Sequence, residues 1–314
     1  PRVQIPHPPP SQSNIGRWPA ILRQVEMARS NFSITERLAI RARQIAYRSR
    51  NSSPYLSGDA FASLADIVIS NEEQLGRYLS SSQDHRIIFC RSDYLTELKR
   101  LNLNQEHKRI LIAGNSDYDF TDINQLPQGL FQRFYLQNSF ISNNKDIFTL
   151  PIGIENLSIG INGLPKNLTA TLDWNEKSKQ ILVGPISPTH RDRVDLIAVA
   201  ESQKGAFVLK KENISPSSFA KTMEKYRYIA CPRGNGVDTH RFWETLYRGS
   251  IPIVLSNSWS QSLEHFKIPM IIINTWQEAE EAIEDFEQSV RVRNPRSLDV
   301  LWIEYWKKVF KSDL

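Results

Sequence analysis

At 314 residues, with 40% hydrophobic and 23% charged side chains, the chain reads as a globular protein long enough for two domains of about 150 residues. No apolar run can cross a bilayer, and six scattered histidines and two cysteines give neither a transition-metal cluster nor a disulfide framework. Of the net charge of +5, residues 1–50 carry nine arginines against two glutamates; that local +7 leaves −2 for the other 264 residues and excludes a domain-wide basic surface for nucleic acid.

Residues 1–14, PRVQIPHPPPSQSN, are proline-rich and predict an extended tail. A start at Pro1 rather than Met suggests processing that has removed any anchor or targeting segment. Cys90 and Cys231 point to a reducing compartment, whereas five N-x-S/T sequons, at Asn31, Asn51, Asn156, Asn167 and Asn213, slightly exceed chance. The expected location is the cytoplasm, peripheral to a membrane, or the Golgi lumen if an N-terminal anchor has been removed. Residues 18–50 read as helix, with Ile34, Leu38, Ala42 and Ile45 on one stripe and Arg37, Arg41 and Arg48 on another. Such a helix can lie on a membrane surface or seat an anionic acceptor. Packing of its apolar stripe on the chain's own domain is the preferred reading.

From Ser52 the pattern alternates between β and α. Residues 87–91, 109–113, 134–136 and 148–152 predict strands, and residues 59–69, 72–80 and 94–101 predict helices. The polar stretch 156–175, broken by Gly160, Gly163 and Pro165, reads as a linker. A second series follows: strands at 180–184, 205–209, 226–231, 251–255 and 269–273, with helices at 191–201 and after Ser215. Two helices end the chain, an acidic one over 276–290 and an aromatic-striped one over 297–310. The pattern predicts an α/β protein of two Rossmann-like domains, 1–170 and 171–295, facing a central cleft, followed by a helical segment 296–314.

The most informative stretch is YRYIACPRGNGVDTHRFWETLYRGSIPIVLSN, Tyr226 to Asn257, which reads as strand, glycine turn, helix and strand. Gly234 and Gly236 tolerate positive φ, Asp238 or Thr239 can cap the helix, and Gly249 can close it. A glycine turn opening onto a helix N-terminus seats phosphate, and Arg233 and Arg241 add cationic forks. Arg241 and Glu244 share a helix face, so one can hold phosphate while the other accepts from a ribose hydroxyl. An ordinary βαβ corner with solvated charges has the same local pattern.

CPRGNGVDTHRFWETLYRGSIPIVL resembles the nucleotide-sugar segment of exostosin-like glycosyltransferases, whose pattern is roughly C-P-R-G-x-G-x-x-S-x-R-x-x-E-A-L-x-x-G-C-I-P-V, and it echoes the fucosyltransferases. Cys231, Pro232, Arg233, Gly234, Gly236, Arg241, Glu244, Leu246, Gly249, Ile251 and Pro252 fall on the pattern; Thr239, Thr245 and Ser250 depart from its Ser, Ala and Cys. The resemblance covers about thirty residues, with looser echoes in SGDAF, NSDYD, YLQN and LPIGIEN. It implies a GT-B-like fold whose last helix crosses back onto the first domain. It also implies an inverting transfer, from a nucleotide-diphosphate sugar to a glycan or glycolipid hydroxyl, with a carboxylate base and no obligatory metal. The phosphate- and nucleotide-binding set is then Arg233, Gly234, Asn235, Gly236, Thr239, His240, Arg241 and Glu244, with Arg191 or Arg193 adding a contact from the turn before 191–201.

The base should lie across the cleft: Asp117, beyond the end of the strand 109–113, is the first candidate, Asp59 the second, and Asp93, also at a strand end, a further one. Each can equally be a turn residue. Asp117-Tyr118-Asp119 also spells D-x-D, the Mg²⁺- or Mn²⁺-binding signature of another glycosyltransferase fold, and is kept as an alternative. A non-catalytic carbohydrate- or nucleotide-binding protein of the same fold is the second alternative.

Overall fold

The computed structural model describes residues 33–48, 50–81, 83–99, 109–142, 144–209, 214–289 and 294–314. The proline-rich stretch 1–14 and the first half of the helix expected over 18–50 lie outside them.

The first half holds α1 (Ile34–Ala46), α2 (Gly58–Ala62), β1 (Ile67–Ile69), α3 (Glu72–Leu79), β2 (Ile87–Arg91), α4 (Leu95–Leu98), β3 (Ile110–Gly114), β4 (Arg133–Leu136) and β5 (Ile147–Thr149). The five strands form one parallel sheet in chain order. The second half holds β6 (Ser178–Val183), α5 (Arg191–Ala200), β7 (Ala206–Val208), α6 (Pro216–Glu224), β8 (Tyr226–Ala230), α7 (His240–Tyr247), β9 (Ile251–Leu255), α8 (Ser258–Ser262), β10 (Ile271–Ile273), α9 (Ala279–Ser289) and α10 (Ile303–Ser312). Its sheet is also parallel, in the order β10-β9-β8-β6-β7.

Strands that read as unbroken apolar runs do so because both faces are covered. In β3, Ile110 and Ile112 face the centre of the molecule, while Leu111 and Ala113 face the layer of α3 and α4. In β6, Leu182 faces the centre while Ile181 and Val183 meet Leu196, Trp276 and Ala279. The central core is continuous across both sheets: Phe89, Ile112 and Tyr135 join Ile229, Val254 and the α7 residues Phe242, Trp243 and Leu246. Tyr247 links the halves, accepting the Leu56 N–H at 2.9 Å and donating to the Leu301 carbonyl at 2.6 Å.

Three expectations change. Residues 59–69 are not one helix: α2 ends at Ala62, and the β-branched run Ile67-Val68-Ile69 pairs with β2. Asp66 fixes that junction by accepting the Arg86 and Ile87 N–H groups, each at 2.8 Å. Residues 297–310 do not form one helix either. Short 3₁₀ turns at Pro295–Ser297 and Asp299–Leu301 precede an extended Trp302, which pairs with Tyr55, and α10 begins only at Ile303. Trp306 and Phe310 then pack against Phe61 and Tyr135, and Asp313 bonds Tyr135 and Gln132, so α10 sits on the first sheet.

The third change concerns α1, whose expected inner stripe faces outward. Ile34, Leu38 and Ile45 are 77%, 65% and 70% exposed, and Ile40 is the buried residue. The helix is held instead by polar side chains, Arg43 Nε to the Gly160 carbonyl at 2.8 Å and Gln44 Nε2 to the Ile159 carbonyl at 3.1 Å.

Candidate functional site

In an open parallel sheet a ligand crevice forms beyond the carboxyl ends of the strands, where the strand order reverses. In the second sheet the reversal lies between β6 and β8, because β7 is laid on one side of β6 and β8 to β10 on the other. The loops leaving those two strands, 184–190 and 231–239, therefore flank the crevice, and the second is the glycine turn.

Neither glycine of that turn has positive φ, contrary to expectation; close approach is what requires them. A Cβ on Gly234 would stand 2.9 Å from Arg193 Nη2, and one on Gly236 would stand 2.6–2.8 Å from the side-chain amide of Asn138. That amide is fixed, donating to the Ser116 carbonyl at 3.1 Å and accepting the Asp238 N–H at 3.0 Å. The turn is thus seated directly on the end of β4. Gly236→Ala is expected to cost about 1–3 kcal/mol in urea unfolding. Because Asn138→Ala removes the obstacle, the double variant should cost less than the two single losses combined; strictly additive costs would refute the contact as the cause.

Asp238 rather than Thr239 organises the start of α7. Thr239 occupies the N-cap without a side-chain bond. The Asp238 carboxylate accepts the Ile152 N–H at 2.7 Å and the Trp243 indole N–H at 2.8 Å, joining the two halves. It is 3% exposed, and burial pushes its carboxyl up to about 7. His240 Nδ1 lies 2.8 Å from the Gly153 carbonyl, which requires the proton on that nitrogen.

Two guanidinium groups stand at the crevice, and Glu244 attracts one of them, Arg241, from beyond ion-pair distance. Arg241 donates from Nη2 to the Pro185 carbonyl at 2.8 Å and lies over the Phe219 ring. Arg193 donates to the Arg233 carbonyl at 2.7 Å and to the Ser187 carbonyl at 3.2 Å. Among the described residues neither has a carboxylate within ion-pair distance. Burial, reinforced by the charge of Arg241, lowers Arg193 to about 10; burial also lowers Arg241. Glu244 on the same helix is 8% exposed, its nearest cation is Arg248 Nη1 at 3.9 Å, and burial raises its pKa.

The expected residues divide accordingly. Arg233 is already paired with Asp119 at 2.8 Å, although Arg233 Nε and Asp119 Oδ1 are left buried without partners. Asn235 donates to Asp117 Oδ2 at 3.2 Å, so the glycine turn and the NSDYD segment do meet. Asp59 stands apart from that contact. Burial raises its pKa, its backbone N–H donates to Asn156, and its carboxylate accepts from Ser158 N and Oγ at 3.4 Å each. Asp93 is paired with Arg91 at 2.7 Å. Arg191 points away on the outer face of α5, 88% exposed and 3.4 Å from Asp195. Helical spacing carried the signal that separates the two arginines: Arg193, Leu196 and Ala200 lie three and four apart, and the last two are buried.

The D-x-D alternative meets an obstacle in its donor set. One Asp119 oxygen is held by a guanidinium. No protein-family model and no curated protein matches the chain.

Proposed function

We propose that the protein is a GT-B-like glycosyltransferase that moves a sugar from a nucleotide-diphosphate sugar to a hydroxyl of a glycan or glycolipid, with inversion and without an obligatory metal. The observation that carries this reading is the pair of guanidinium groups, Arg193 and Arg241, without carboxylate partners at the switch point of the second sheet. Like charges held together in a partly buried site are costly unless an anion lies between them, and a pyrophosphate supplies that charge with matching oxygen geometry. The exostosin-like resemblance of the same stretch supports the assignment.

In this reading the diphosphate lies against Arg193, Arg241 and the N-terminus of α7, which take up the negative charge as the bond from the anomeric carbon to phosphate oxygen breaks. Glu244, without a hydrogen-bond donor among the described residues, accepts from the ribose hydroxyls. Asp117 takes the proton of the acceptor hydroxyl as its oxygen bonds to the anomeric carbon. Asp117 is preferred to Asp119 because, among the described residues, its side chain bonds only the neutral Asn235, and to Asp59 because it adjoins the glycine turn. His240, Thr239, Asn235, Gly234 and Gly236 line the approach.

Calorimetric titration with UDP, GDP and CMP, followed by assay of nucleotide release from the matching sugar donor, tests the proposal. Asp117→Asn should keep donor affinity and lower turnover by about 10²; turnover close to that of the unaltered protein would remove Asp117 from the mechanism. Loss of activity in EDTA, restored by Mn²⁺, would instead favour the D-x-D alternative. One observation favours a non-catalytic nucleotide- or carbohydrate-binding protein of this fold: Asp117 and Asp119 both bond the glycine turn. Nucleotide binding without release from any donor sugar would decide for it.

A further inference from the structure

We infer that the outward face of α1 docks the protein on an anionic lipid surface. At 100° per residue, Ile34, Leu38 and Ile45 fall within about 40° of one another. They are the three most exposed large apolar side chains among the described residues; the others, Leu79, Ile123, Val194 and Phe207, lie on separate elements. Arg41, exposed, runs along the edge of the same stripe, Arg48, also exposed, follows in the turn just after the helix, and Glu36 lies on the far side.

The rest of the helix is already committed. Ile40 is 4% exposed, and Arg43 and Gln44 tie the inner face to the Gly160 and Ile159 carbonyls. A capping box between Ser33 and Glu36 fixes the first turn, so the stripe is presented by a helix anchored from behind.

An apolar stripe edged by arginines is the arrangement of a helix lying in a membrane interface. The apolar side chains enter the acyl boundary, while arginine stems lie along it and their heads reach phosphate. A second copy or a protein partner would also cover Ile34, Leu38 and Ile45, but the basic edge calls for an anionic surface. The net +7 of residues 1–50 has the same sign. Among the described residues no helix is long and apolar enough to cross a membrane, so the association is with the surface.

The turn that carries α1 also holds Ser158, which bonds Asp59. The inference stands apart from the transfer chemistry, since its test needs no activity.

The test is co-sedimentation of the full chain with vesicles of phosphatidylcholine alone and of phosphatidylcholine mixed with phosphatidylserine. Binding is expected to the mixed vesicles, weakening as salt is raised. Leu38→Glu and Ile45→Glu should each weaken it at least about tenfold with the unfolding midpoint unchanged, because both side chains are exposed. The double change Arg41→Glu, Arg48→Glu should act likewise. Failure to bind mixed vesicles, or binding indifferent to these substitutions, would overturn the inference. So would self-association in centrifugation that Leu38→Glu abolishes, which would assign the stripe to a second copy.

Discussion

Replacing Arg241 by methionine is expected to weaken nucleoside-diphosphate binding by about 10³-fold while changing the unfolding midpoint of the free protein little. In the free protein the guanidinium has, among the described residues, one hydrogen bond, to the Pro185 carbonyl, and a ring face beside it. The charge of Glu244 on the same helix also favours it; against these stand its desolvation and its repulsion of Arg193, which burial has already lowered to about 10. A methionine keeps the contact with Phe219, gives up the bond to Pro185 and removes both penalties. With ligand present, two charge-assisted bonds to phosphate are lost, about 4 kcal/mol and hence the thousandfold change. Calorimetry on the binding side and a thermal melt on the stability side read the two halves separately. A variant that bound nucleotide as tightly as the parent would end the phosphate assignment. One that lost binding and stability together would make Arg241 a structural residue.

The same physics separates what could be read from the sequence and what could not. The parallel strands were legible because burial on both faces leaves short apolar runs between turn residues, as in Ile110–Gly114 and Ile251–Leu255. Strand β1 was hidden because Phe61, Leu64 and Val68 also fit a helical period, and only pairing with β2 decides between the two. The α1 stripe was read as inward because an apolar face usually finds a core; Arg43 and Gln44 hold the opposite side instead. The glycine turn was legible as a local motif. The pairing of Arg233 with Asp119 joins residues more than a hundred positions apart, and no local pattern shows which arginine is spent in this way. The role of Asn138, the last residue of YLQN, is hidden for the same reason. Its importance lies in the Ser116 and Asp238 backbone groups it bonds, which come together only when the two sheets meet.

Burial of Asp238 is expected to make stability fall as pH rises from about 4 to about 7. Its carboxyl titrates near 3.8 when the chain is unfolded and at about 7 when folded. Between those values the folded state holds a proton that the unfolded state has released. The contribution is therefore fully present below the lower value and is lost as pH rises through the upper one. The displacement amounts to about 4 kcal/mol, at 1.36 kcal/mol per pH unit. Burial raises Glu244 and Asp59 as well, so both add slope of the same sign. Lys177, lowered to about 8, has the opposite sign but acts only at higher pH, where its early loss of a proton makes stability rise. Asp238→Asn removes the titration and should flatten the pH profile of urea unfolding. It also places an N–H₂ group against one of two donors, the Ile152 amide or the Trp243 indole, so its absolute stability should be lower by about 1–3 kcal/mol at acid pH. Glu244→Gln should remove only the share of Glu244 and keep that of Asp238. A profile for Asp238→Asn as steep as that of the parent would show that another group bears the proton, and would leave Asp238 a plain hydrogen-bond clasp between the two halves.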